Sequence, residues 1–170
     1  MNFKSSVQDV PDFPLPGVLY RDITPLFNDA AAFARAIDAM AEPVLSLQPT
    51  HVLGLESRGF IFGSALAHKL GLGFVPARRP GKLPRPTFRE TYESTCGHDG
   101  MEIHQDAFHP GDRVLIVDDI LSTGATALAA RNIVERTGAH PVALTLFIEM
   151  VGLAGREKLK GLPVFSVLRY

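Results

Sequence analysis

The sequence predicts an α/β domain with a mainly parallel sheet flanked by helices. Strand-like and helix-like segments alternate along the chain, the pattern that builds parallel sheets from crossover units. "RVLIVDD" (113–119) is a continuous apolar run, as found in strands buried on both faces. With 170 residues, 46% of them hydrophobic, the chain fills one domain with a full core and is short for two.

The elements follow in order. Up to about Asn28, Pro11, Pro14, Pro16 and Pro25 forbid a continuous helix, while Phe13, Leu15, Val18, Leu19 and Tyr20 are too apolar for a free tail. An ordered, extended arm is expected there. From 30 to 48, Phe33, Ile37, Met40, Val44 and Leu47 recur every three or four residues, the spacing of one buried helical face, with Pro43 kinking or shortening the helix. "HVLGLE" reads as a short buried strand, and "SRGFIFGSALAHKLG" as a helix ending at Gly71, a favoured left-handed cap. "LGFVPARR" is the next strand. Residues 80–111 are rich in charge, proline and glycine, with two short alternating stretches suited to a hairpin; loops of this length usually carry function. After "RVLIVDD" come a helix from about Gly124 to Arg136, the strand "PVALTLFIEM", a short helix "LAGREKLKG" and a last strand "PVFSVLRY".

Charge narrows the partners. Seventeen basic residues against eighteen acidic give a net charge of −1, so no overall field draws the chain to nucleic acid or a membrane surface. Any anion site must be local. The single cysteine, Cys96, excludes an intramolecular disulfide, the N-terminus lacks a secretory pattern and no apolar run reaches membrane-span length; a cytoplasmic protein is expected. The six histidines show neither HxxxH nor HExxH spacing, so no zinc site is expected.

The segment "VLIVDDILSTGATALAA" (114–130) carries the chemistry. In open α/β sheets ligands bind beyond the carboxyl ends of the strands, where Asp118 and Asp119 fall. The loop Ser122-Thr123-Gly124-Ala125-Thr126 then leads into a helix whose first N–H groups suit a phosphate, with hydroxyls adding donors. It is neither a Walker loop nor GxGxxG. A monophosphate on the loop, with carboxylates accepting from sugar hydroxyls, describes a ribose 5-phosphate.

This segment resembles the signature with which type I phosphoribosyltransferases bind 5-phosphoribosyl-1-pyrophosphate. "PGVLYRDITPLF", "GLESRGFIFG", "RRPGKLP", "MEIHQDAFHPGDRVLIVDD" and "GREKLKGLPVFSVL" are similar, in order and across nearly the whole chain, to the adenine-specific members of that family. The resemblance implies a single domain over 1–170, with a base-binding hood at 1–28 and a flexible catalytic loop at 80–110. It implies adenine and phosphoribosyl pyrophosphate as substrates, AMP and pyrophosphate as products, Mg²⁺ carried mainly by pyrophosphate, and a homodimer. Displacing pyrophosphate from the anomeric carbon builds positive charge on the ribose and negative charge on the leaving group. Arg58, Arg78, Arg79 and Lys82 are then the cations for pyrophosphate, with Asp118 and Asp119 on the ribose. In the family the peptide matching Glu56–Ser57 is cis, turning an N–H toward pyrophosphate. Tyr20 and Met150 are assigned to the two faces of the base, the backbone of Leu19 to its Watson–Crick edge, and Arg21 to ordering that pocket.

One departure stands out. Many family members carry "LEYG" in the mobile loop, with its glutamate as proton shuttle; here Thr95 and Cys96 occupy those places in "ETYESTCG". Glu93, two residues earlier, is the substitute carboxylate, with proton loss to water as the alternative, and Glu102 is placed in the returning hairpin strand. Two rival functions are a 6-oxopurine (hypoxanthine or guanine) transferase and a non-catalytic phosphoribosyl pyrophosphate sensor. Against the sensor, no DNA-binding helix-turn-helix and no basic excess is seen.

Overall fold

The computed structural model describes residues 3–94 and 97–170. They form two compact units, divided between Ala39 and Met40.

In the first unit, strands β1 (Gln8–Pro11) and β2 (Leu19–Asp22) pair antiparallel, with Val10 opposite Tyr20. The turn between them is tied by the Gly17 N–H donating to Asp12 Oδ1 at 2.7 Å, and its Phe13–Pro14 peptide is cis. The extended arm is therefore a hairpin followed by a short helix, α1 (Thr24–Asn28). Pro25 sits in the first turn of α1, where its missing N–H has no intrahelical partner to lose. Helix α2 (Ala30–Ala41) follows, and a 3₁₀ stretch, Glu42–Leu47, takes over with Pro43 in its first turn. Ile37, Met40 and Val44 are buried, as their spacing predicts.

The second unit is built on a five-stranded sheet, β3 (His51–Leu55), β4 (Gly73–Ala77), β7 (Arg113–Leu121), β8 (His140–Glu149) and β9 (Val164–Arg169), in the order β4-β3-β7-β8-β9. Every pairing is parallel. Val52–Leu55, Val114–Val117 and Ala143–Glu149 are buried, which explains their unbroken apolar runs. Helix α3 (Gly59–Leu70) packs on β3 and β7, its Phe62 stacks on Phe147 of β8 at 5.7 Å, and it ends at left-handed Gly71. Helix α4 (Ala125–Arg136) covers the opposite face, joining Ile133 and Val134 to Val114, Ile116, Leu144 and Leu146. Buried Thr145 is satisfied by donating to the Met40 carbonyl at 3.2 Å.

Strands β5 (Thr87–Ser94) and β6 (Gly97–His104) form the antiparallel hairpin expected within 80–111. Its base is not loose. Arg78 and Glu102 exchange backbone hydrogen bonds of 2.9 and 2.7 Å, and Arg136 of α4 donates to the Arg89 carbonyl at 2.6 Å. Glu102 lies on β6, the returning strand, as expected.

Two elements differ from expectation. Strand β7 runs on through Leu121, because Ile120 and Leu121 still pair with Ile148 and Glu149 of β8. "LAGREKLKG" is not one helix but two 3₁₀ segments, Val151–Leu153 and Gly155–Leu159. Ala154 between them is left-handed at φ 52°, which breaks any α ladder.

Candidate active site

Neighbouring strands β4, β3 and β7 end together, and the chain reverses direction across the sheet between β3 and β7. That switch point is where open α/β sheets hold ligands. A cleft of about 570 Å³ opens there, lined by Glu56, Ser57 and Arg58 after β3, Arg78, Arg79 and Lys82 after β4, and Asp118, Asp119, Ser122 and Thr126 from β7 onward. Residues that are distant in sequence thus meet at one point.

Strand alternation sorts the two aspartates. As consecutive residues they leave β7 on opposite faces, yet both lie at the start of α3, Asp118 Oδ1 against Gly59 and Asp119 on Arg58. At the N-terminus of α3, Arg58 Nε lies 2.7 Å from Asp119 Oδ2, and the Asp119 carboxyl is 8% exposed. Asp118 Oδ1 accepts the Asp119 N–H at 2.9 Å. Burial, reinforced by the Asp119 charge, pushes the Asp118 carboxyl well above the usual carboxylate range.

The cationic side is organised by two further acids. Glu56 accepts from Arg78 Nε at 3.1 Å and from the Arg79 N–H at 2.7 Å. Burial alone would raise its pKa, but these hydrogen bonds and the Arg78 and Arg79 charges prevail and hold it low. Glu102, 3% exposed, accepts from Arg89 Nε at 2.7 Å and from the Gly81 N–H at 3.0 Å. It fixes the turn that presents Arg79 and Lys82. The Glu56–Ser57 peptide is cis, as the family resemblance implies.

The phosphate loop is formed as its composition suggests. Ser122 and Thr123 lead into Gly124, left-handed at φ 79°, and α4 begins at Ala125. Ser122 and Thr126 line the cleft, and the Thr126 hydroxyl is hydrogen-bonded to Tyr92 of β5. Burial raises the Tyr92 pKa, aided by the charges of Asp99 and Asp118.

The cleft brings together Glu56, Ser57, Arg58, Arg78, Arg79, Lys82, Asp118, Asp119, Ser122 and Thr126. Glu93 is placed elsewhere. On β5, Phe88 and Tyr92 pack toward the core, and the exposed Glu93 does not line this cleft but a neighbouring cavity, together with Tyr92, Leu128 and Lys158. Leu19, Tyr20 and Arg21 are on β2 of the first unit, where Phe13 meets Tyr20 edge-on at 5.1 Å and Arg21 pairs with Asp9. Met150 directly follows β8 in the second unit. The departure at Thr95 and Cys96 lies outside the described residues. Sequence reading missed Tyr92 and Asp99 as cleft residues. The alternation of "TFRETYES", with Phe88 and Tyr92 four apart, is the signal that marks the inward face.

Comparison with known proteins agrees with this geometry. The family described as "Phosphoribosyl transferase domain" matches residues 26–161. An adenine phosphoribosyltransferase of Carboxydothermus hydrogenoformans is 51% identical over all of both chains. The crystal structure of adenine phosphoribosyltransferase from Thermoanaerobacter pseudethanolicus superposes with a TM-score of 0.96 at 41% identity, covering 99% of this chain and 98% of that one. The Saccharomyces cerevisiae enzyme, complexed with an imino-altritol bisphosphate and adenine, gives 0.92 at 41% identity, covering 98% and 96%. With a parallel sheet whose strand ends gather two aspartates, a hydroxyl-rich loop and a cationic turn, the chain belongs to the adenine phosphoribosyltransferases.

Proposed function

We propose that the chain converts adenine and 5-phosphoribosyl-1-pyrophosphate to AMP and pyrophosphate, a purine-salvage reaction. The observation that carries this reading is the meeting of the Ser122–Thr126 loop, the Asp118–Asp119 pair and the Arg79–Lys82 turn around one cleft. Its dimensions and polarity suit a phosphorylated sugar with a polyanionic leaving group.

In the reaction the anomeric carbon loses pyrophosphate and gains a bond to N9 of adenine, which sheds one proton. The loop N–H groups and hydroxyls hold the 5-phosphate. Asp118 and Asp119 accept from the ribose hydroxyls, and the negative charge of the pair, shared with the proton that Asp118 holds, favours the oxocarbenium-like transition state. Arg58, Arg79 and Lys82 face the leaving group, and the Ser57 N–H adds a neutral donor. Arg78, paired with Glu56, supports the same wall.

Mg²⁺ is assigned here as the companion of pyrophosphate. The donors fit such an ion, which takes one or two carboxylates together with phosphate oxygens and water, and Asp118 and Asp119 are the cleft carboxylates nearest the phosphate loop in sequence, beside Glu56 and Asp99. Bound there, it would neutralise charge on the departing pyrophosphate. Leu19, Tyr20, Arg21 and Met150 are assigned to adenine on family resemblance. A homodimer in the cytoplasm completes the reading; among the described residues no helix is long and apolar enough to cross a membrane.

The test is pyrophosphate release by purified protein with phosphoribosyl pyrophosphate, Mg²⁺ and each purine in turn. Turnover with adenine alone is expected; turnover with hypoxanthine or guanine would reassign the base, and none with any base would favour a sensor. Repeating it with Glu93→Gln places the adenine proton. Loss of turnover assigns it to Glu93, and unchanged turnover assigns it to water.

A further inference from the structure

Behind the phosphate loop lies a second structure that takes no part in the chemistry described so far. Gly124 and Gly155 are pressed together: a Cβ on Gly124 would fall 2.3 Å from the Gly155 carbonyl oxygen, and one on Gly155 would fall 2.2 Å from the Ser122 carbonyl oxygen. No side chain fits on either residue without displacing backbone. The backbone of Gly155 is therefore the floor on which Ser122–Gly124 rest.

The next residue fastens that floor. Arg156 Nε donates to Glu149 Oε1 at 2.9 Å and Nη2 to Oε2 at 2.6 Å, a two-pronged carboxylate clasp, while Nη1 donates to the Val164 carbonyl at 2.7 Å. Ser166 Oγ adds a hydrogen bond of 2.7 Å to Glu149 Oε2, and Arg169 Nε stands 3.5 Å from the same oxygen. Glu149 is 3% exposed while the Arg156 side chain is 43% exposed, so the carboxylate end of the clasp is shielded from water and the guanidinium is partly solvated. At the other end of the segment, Leu159 is in the core and the Lys160 carbonyl accepts from Arg131 of α4 at 3.0 Å.

We infer that Glu149 and Arg156 are positioning residues for the 5-phosphate: by clamping Gly155 against Ser122 and Gly124, they set the directions of the loop N–H groups. The inference rests on the phosphoribosyl-transfer reading above. Neither residue lines the cleft. Their effect passes through one backbone contact to one end of the substrate, leaving the pyrophosphate wall of Arg58, Arg79 and Lys82 on its own supports.

The experiment compares wild type, Gly155→Ala and Arg156→Lys by calorimetric titration with AMP and, separately, with Mg²⁺-pyrophosphate, alongside KM for phosphoribosyl pyrophosphate. Arg156→Lys keeps the charge and loses the clasp. Both variants are expected to bind AMP about ten- to a hundredfold more weakly and to raise KM similarly, with pyrophosphate affinity within about twofold of wild type. Equal weakening of AMP and pyrophosphate, or unchanged AMP binding, overturns the inference. Should either variant fail to fold, Ser166→Ala, which removes one hydrogen bond to Glu149, is scored by the same AMP-to-pyrophosphate ratio. Wild-type protein that binds neither AMP nor phosphoribosyl pyrophosphate would instead overturn the functional reading itself.

Discussion

Arg58 and Asp119 hold each other, with Nε 2.7 Å from Oδ2, across the seam between α3 and β7. A cation suited to pyrophosphate and an acid suited to ribose are thereby one unit. Removing either leaves the other in a poorly solvated place, so their effects on kcat/KM should not add. A double-mutant cycle with Arg58→Ala and Asp119→Ala is expected to show a coupling of about 1 kcal/mol or more. Additive losses would mean that the two act separately.

Asp118 predicts a trade between activity and stability. Its pKa is raised, so the folded state holds a proton that the unfolded chain releases. The resulting destabilisation is absent below the usual aspartate pKa and grows as pH rises through the elevated folded value. Asp118→Asn should therefore raise the melting temperature at pH 7, with no gain near pH 3. The same variant should lose about ten- to a hundredfold in kcat/KM, the scale of a charged hydrogen bond. A lower melting temperature at pH 7 would contradict this account.

Glu149 behaves in the opposite sense. The Arg156 clasp, with help from Ser166 and against the cost of burial, lowers its pKa from 4.5 to about 2. Its stabilisation is complete above the unfolded pKa and is lost as pH falls through the folded one. Glu149→Gln should cost on the order of 3 kcal/mol at neutral pH. Denaturant titrations at several pH values should show the gap to wild type closing between about pH 4.5 and 2. A gap that stays constant over that range would place the stabilisation elsewhere.

Glu102 reports on the other end of the cleft. Its carboxylate receives Arg89 on Oε1 and the Gly81 N–H on Oε2, and glutamine replaces one of those two oxygens by an NH₂ that can only donate. Glu102→Gln should weaken Mg²⁺-pyrophosphate binding several-fold, on the order of one hydrogen bond, with AMP affinity little changed. Weakened AMP with intact pyrophosphate binding would reverse the assignment.

Much of this was written in local patterns. The run Val114–Val117 had to be a strand buried on both faces, since nothing in it marks a wet side, and the Ser122–Thr126 loop had to follow it before a helix. Gly71 ended α3 because a left-handed cap is a property of one residue and its neighbours. The family blocks located Glu56, Arg58 and the Arg78–Lys82 turn without geometry.

What the sequence by itself determined was the α/β class, the phosphate loop and the residue types of the site, because periodicity, turn chemistry and short motifs act over a few residues. Only the tertiary structure decided the partnerships: Arg58 with Asp119, Glu102 with Gly81, and Arg156 with Glu149 behind Gly155. It also decided that Tyr92 lines the cleft while Glu93 lines only a neighbouring cavity. Those outcomes depend on which strand ends lie side by side and on strand register, where a shift of one residue turns every side chain to the opposite face. Register is settled by the packing of the whole sheet, not by any stretch of it read alone.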